Sequence, residues 1–170
     1  MAAQVSFDLR EVEAVRQMLA DAALDSGGRQ RLLASIGAEM EAQTKKRFDA
    51  QRSPDGDSWK ALAQKTQDYY ASKGKGHRSL LVGEGLLRDS ITSSVQEGAS
   101  SVLVGATMEY AAVHQFGATI TPKTAKALAV PGYGMLRKVA IPARPYLGVS
   151  QNDASAIASL AAAFLERNFK

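Results

Sequence analysis

Residues 29–48 read RQRLLASIGAEMEAQTKKRF, and the fold turns on this stretch. Leu32, Ile36, Met40, Thr44 and Phe48 recur at every fourth position, and Leu33 widens the stripe, the pattern of a helix with one face in a core. Glu39 and Glu41 precede Lys45, Lys46 and Arg47, an order that allows i,i+4 ion pairs and suits the helix dipole. The spacing predicts a helix from about Arg29 to about Gln51, roughly 30 Å long. Its charged face reads as solvated rather than as a nucleic-acid-binding surface.

Upstream, Val5, Phe7 and Leu9 alternate with polar residues, the period of a strand or extended arm with one face buried. Val12, Val15, Leu19 and Ala22 recur at helical spacing, and Ser26, Gly27 and Gly28 are expected to end that helix. Downstream, SPDGDSW at 53–59 is a turn in which Pro54 presets one backbone angle and Gly56 supplies a positive φ. Trp59, the only tryptophan, follows as a packing anchor. Residues 62–71 read as a helix and SKGKGHRS at 72–79 as a polar loop.

From Leu80 the helical period gives way to strands. GLLRDSI supplies one helical turn, then strands are expected near Ile91 to Val95 and over Val102, Val104 and Ala106, with EGAS at 97–100 as their turn. YAAVHQFG at 110–117 reads as two helical turns that put Tyr110, Val113 and His114 on one face and Gly117 at a left-handed C-terminal cap. Residues 118–141 form a long excursion in which KALAV and LRKVAI pair across PGYGM. Ile157, Leu160, Ala161, Phe164 and Leu165 then mark a C-terminal helix with Asn152 or Asp153 as its N-cap. The expected class is α+β: an antiparallel sheet packed with a long helix from the N-terminal half and a C-terminal helix, carrying an extended β-hairpin arm over 118–141. Residues 1–170 read as one domain.

The chain has 170 residues, 45% of them hydrophobic and none of them cysteine. That length can bury a core without metal or disulfide support. Lack of cysteine excludes disulfides, thiolate catalysis, iron–sulfur clusters and cysteine zinc sites. The first residues offer no apolar run for a signal peptide or a membrane span, so the expectation is a soluble product of the cytoplasm that meets no membrane. The net charge of +4 is unevenly spread. No Asp or Glu occurs between Tyr110 and Asn152, where Lys123, Lys126, Arg137, Lys138 and Arg144 all lie. Such a stretch suits phosphates or an acidic protein surface, or it keeps exposed strand edges from pairing with other chains.

Catalytic signatures are missing. GEGLLR and GYGMLR begin like dinucleotide fingerprints but place arginine where the third glycine belongs. SKGKGHRS lacks P-loop spacing. His77 and His114 are the only histidines, so no pair stands at metal-ligand spacing. Nothing near His114 in sequence provides a nucleophile or an orienting partner, which favours a hydrogen-bonded structural histidine beside Tyr110. No enzyme, metal or cofactor is expected.

Phe48 followed by SPDGDSW, GLLRDSI at 85–91, VGATMEYAAVHQFG at 104–117 and IPARPYLG at 141–148 together resemble the phage virion morphogenesis family, the tail completion proteins of Mu-like tailed phages and related prophages. The likeness runs from about Phe48 to the end. It implies a structural protein of the bacterial host cytoplasm or the virion that finishes the tail or its joint to the head. It further implies a closed homo-oligomeric ring, often a hexamer, capping the tail tube or meeting head–tail connector proteins, with any DNA contact secondary. The motif residues Trp59, Tyr110, His114, Phe116, Gly117, Pro142, Arg144 and Pro145 become candidate interaction or structural positions, beside the cations of the arm. Pro142 and Pro145 hold the backbone extended around Arg144, which suits a bidentate carboxylate contact within the subunit or across a ring interface. Two other readings use the same residues: a DNA-binding protein using the basic 118–146 segment, and a hydrolase using His114.

Overall fold

The structure is a computed structural model that describes residues 3–7 as strand backbone, and residues 26–75, 79–96 and 101–168 with their side chains. The helix expected over 12–22, residues 76–78 of the polar loop and the EGAS turn lie outside the described residues.

Strand β1 (Ala3–Phe7) precedes helix α1 (Ser26–Ala50), which takes in the whole predicted stripe. Ser26, Gly27 and Gly28 do not end a helix but form the first turn of α1. Glycine there is tolerated because Gly28 is buried, so packing replaces the missing propensity. Leu32, Leu33, Ile36, Met40 and Phe48 are at most 2% exposed. Glu41 reaches Lys45 at 3.7 Å but turns toward the sheet, accepting from the Ser93 N–H and Oγ at 2.6 and 2.7 Å, while Glu39 accepts from Gln43 instead of pairing with a lysine. The turn after α1 has the expected form, with Gly56 at φ 90° donating its N–H to the Ser53 carbonyl. Helix α2 (Gln64–Ser72) and the single-turn α3 (Leu86–Asp89) follow.

Strands β2 (Ile91–Val95) and β3 (Val102–Ala106) pair antiparallel with Ile91 opposite Ala106, and β1 adds to the other side of β3, giving the order β1-β3-β2. Period-two side chains bury Ile91, Val102, Val104 and Ala106 beneath α1, which lies across β2 and β3. Helix α4 (Ala111–Phe116) comes next.

The excursion is built differently from the expected single hairpin. β4 (Ala118–Ile120) pairs with β7 (Val139–Ile141) at its base, and β5 (Leu128–Val130) pairs with β6 (Gly134–Leu136) at its tip. LRKVAI is therefore divided between two ladders, since Leu136 faces Leu128 while Ile141 faces Ala118. The tip folds back onto α2: the Tyr133 hydroxyl meets that of Thr66 at 2.8 Å, and the Lys65 ammonium lies 5.0 Å from the Tyr133 ring centre.

Helix α5 (Gln151–Asn168) closes the chain against α1 through buried Ile157 and Ala161. Its cap is Ser150 rather than Asn152 or Asp153. Asp153 donates its N–H to Ser150 Oγ at 3.1 Å, while its carboxylate accepts from the Ser150 N–H at 2.6 Å. This reciprocal arrangement places Asp153 in the first turn. The architecture is thus α+β, with helices on small antiparallel sheets.

Candidate functional site

Three of the four sequence motifs meet at one place, the extended segment from Pro142 to Ser150, which the last of them begins. Two prolines remove N–H groups and bar regular structure there, so the remaining buried backbone groups need side-chain partners. Three elements supply them. From α1, Arg47 donates to the carbonyls of Tyr146 and Gly148 at 2.8 and 2.9 Å. After the turn, Trp59 Nε1 donates to the Pro145 carbonyl at 2.8 Å. From α4, the Gln115 side-chain oxygen accepts from the N–H groups of Tyr146 and Leu147 at 2.9 and 3.0 Å, and its amide donates to the Leu147 carbonyl at 2.9 Å. Gln115 thus imitates a neighbouring strand with a single side chain.

The rings fix the same segment laterally. Phe48 packs edge-on to Trp59 with centroids 5.5 Å apart and lies 5.1 Å from Tyr146, whose hydroxyl donates to the Ala111 carbonyl. Burial pushes the Tyr146 phenol far up from its ordinary pKa, so it remains a donor. Arg47 also forms a buried ion pair with Asp153. Burial alone lowers the pKa of Arg47, and the Asp153 carboxylate opposes that shift.

Arg144 is presented in a fixed direction, but inward. It is 4% exposed; its Nε donates to the Lys60 carbonyl at 2.7 Å and one terminal nitrogen faces the Ala61 carbonyl at 3.3 Å. No carboxylate of the described residues pairs with it, so the bidentate contact expected within the subunit is absent; the buried arginine–carboxylate pair belongs to Arg47. The Arg144 N–H donates to the His114 carbonyl at 2.7 Å, tying the segment to α4.

His114 is edge-on to Tyr110, with centroids 5.8 Å apart. The hydrogen bond expected of a structural histidine is not made at Nδ1, which is buried without a partner among the described residues. Burial first, and the Arg144 charge second, depress its pKa and keep the ring neutral. Gly117 has φ 73° and ψ 161°, which is not the left-handed cap expected. Glycine is required there by proximity as well as by φ, because a Cβ would stand 2.8 Å from the Ala143 nitrogen.

Next to Arg144 and His114 opens a cavity of about 340 Å³. Leu62, Leu80, Val82, Leu86 and Leu87 line its apolar part; Tyr110, His114 and Arg144 line the polar part. No nucleophile–base–orienter constellation forms there, and no group of three or more metal-ligating side chains occurs among the described residues.

The remaining predicted positions lie away from the cavity. Phe116 is 64% exposed at the end of α4, and Lys123, Lys126, Arg137 and Lys138 are exposed along the excursion. Pro142 and Pro145 flank Arg144, both half-buried. The sequence reading overlooked Gln115 and Arg47. Both carried a signal: Gln115 follows buried Ala111 by four residues, and Arg47 follows buried Thr44 by three on the stripe of α1. Among the described residues no helix is long and apolar enough to cross a membrane.

Comparison with known proteins agrees with the motifs that build this site. The chain is 31% identical over 117 residues to the protein named "Putative capsid assembly protein G" of Escherichia phage Mu, a match spanning 68% of this chain and 66% of that one. It is 25% identical over 127 residues to the Mu-like prophage FluMu G protein 1 of Haemophilus influenzae, spanning 74% of this chain and 71% of the relative. No solved structure is significantly similar. The model of the phage virion morphogenesis family matches residues 10–166, and the chain belongs to that family.

Proposed function

We propose that this protein completes the phage tail or its joint to the head, acting as a homo-oligomeric ring seated on the tail tube or on a connector protein. The observation that carries this reading is the separation of charge along the chain. All 17 acidic residues lie outside 110–152, whereas the excursion offers four exposed cations. Exposed Phe116, Ile120 and Met135 accompany them, at 64, 39 and 67%. Exposed apolar side chains among exposed charges are common at protein interfaces. Basic and acidic regions on different parts of one subunit suit a head-to-tail contact, the kind that closes into a ring by rotation. The bonds around the 142–150 segment support a scaffold, because Arg47, Trp59 and Gln115 are spent there on holding backbone.

The test is electron microscopy of an induced lysate in which this gene carries an early stop codon. Filled heads beside unjoined or overlong tails are expected; normal joined particles would overturn the reading. Removal of residues 123–138 is expected to reproduce the defect, and unimpaired assembly would remove the excursion from the interface.

A further inference from the structure

The cavity beside α4 combines apolar walls with a guanidinium that has no counter-ion among the described residues. Arg144 is buried, and its partners among the described residues are the carbonyls of Lys60 and Ala61, engaged through Nε and one terminal nitrogen. The other terminal nitrogen makes no hydrogen bond among the described residues. A buried cation is costly unless its charge is matched, and two carbonyl dipoles match it incompletely. Burial lowers the pKa of Arg144, but an arginine stays charged, so the cavity holds an unbalanced positive charge. The exposed carboxylate of Glu84 lines the cavity without pairing with it.

Leu81, which lines the cavity, has φ 60°, a left-handed conformation that an L-residue rarely adopts, and such strain gathers at binding sites. At the mouth of the cavity the lining residues Leu86 and Tyr110 are 54 and 39% exposed.

We propose that this cavity receives the C-terminal residue of a protein chain, an apolar side chain entering between Leu62, Leu80 and Leu87 while its α-carboxylate meets Arg144. The carboxylate supplies the missing counter-charge in the planar geometry that a guanidinium prefers. The apolar rim gives the preceding residues a surface, which a free carboxylic acid would leave uncovered. The inference goes beyond the tail-completion reading and stands without it: peptide binding and a lysate of normal particles can occur together.

The experiment titrates purified protein by calorimetry with an N-acetylated hexapeptide ending in leucine, with the same peptide amidated at its C-terminus, and with octanoate. The carboxylate peptide is expected to bind about tenfold or more tighter than the amide, a difference of about 1.4 kcal/mol. Equal binding of the two, or no binding of either, overturns the proposal. Octanoate binding as tightly as the peptide overturns the assignment to a chain end. Arg144→Lys keeps the charge but loses the planar fork, and is expected to weaken binding. Because Arg144 also holds the 60–61 backbone, Leu86→Glu at the exposed rim is the companion variant. It is expected to weaken the peptide severalfold with the unfolding midpoint unchanged, and unaltered affinity in it counts against the site.

Discussion

Arg47 and Asp153, 106 positions apart, form a buried ion pair that joins the last turn of α1 to the first turn of α5. Each partner has a second duty. Arg47 holds two carbonyls of the extended segment, and Asp153 caps its own helix through Ser150. Replacing Asp153 by alanine leaves a buried guanidinium without its counter-charge and removes the cap. The expected loss is about 3–5 kcal/mol, measured by urea unfolding. Arg47→Met combined with Asp153→Leu is expected to lose less than the two single losses added, because the pair's desolvation disappears with it. Strict additivity would mean that the two charges do not interact.

Thr44 is fully buried on α1, and its hydroxyl finds no partner among the described residues. Thr44→Val keeps the shape and removes a polar atom that folding strips of water. The variant is expected to be more stable by about 1 kcal/mol, read from the urea midpoint. A loss would show that the hydroxyl is satisfied in solution.

Gly37 lies in the middle of α1, where helix propensity alone predicts that alanine is better by about 1 kcal/mol. The sheet opposes this. A Cβ at residue 37 would stand 2.6 Å from Ser93 Oγ and 2.9 Å from Val102 Cγ2. Overpacking costs about 1–3 kcal/mol, so the expected net effect of Gly37→Ala is destabilisation. Increased thermal stability in this variant would mean that α1 rides higher on the sheet.

His114 gives stability a pH dependence. Its folded pKa lies below the unfolded value of about 6.5, so the unfolded chain takes up its proton first. The contribution is complete above that pH and is lost as pH falls from there through the lower folded value. Urea unfolding at pH 7.5 and 5.5 is expected to show a larger drop for the native chain than for His114→Gln. Equal drops would mean that the ring is solvated.

The long helix, the β2–β3 pair and the C-terminal helix were legible in the sequence because each is an amphipathic element with its own period. The core position of Trp59 was legible for a related reason, since a fixed turn delivers it. Position-specific exchange of partners was not legible. LRKVAI is apolar enough to continue one hairpin, and the tertiary contact of Tyr133 with Thr66 accompanies a different division. Arg144 seemed to address a carboxylate because two prolines orient it, but orientation does not reveal direction, and its fork meets backbone. The cavity was hidden altogether. Its walls come from positions 62–87 and its charged part from 110–144, and no local pattern links them.

The extended segment at 142–150 is held by residues 47, 59, 115 and 153. Its partners are drawn from positions 106 apart in the chain. During synthesis, α1 emerges about a hundred residues before the carbonyls that Arg47 will hold. Contacts of such wide separation are slow to form, because loop closure precedes any gain from them. The nascent chain therefore carries an unfinished core until residues 142–153 have been made, and the hold of Arg47 on this segment and on Asp153 is among the last contacts of that core to become possible.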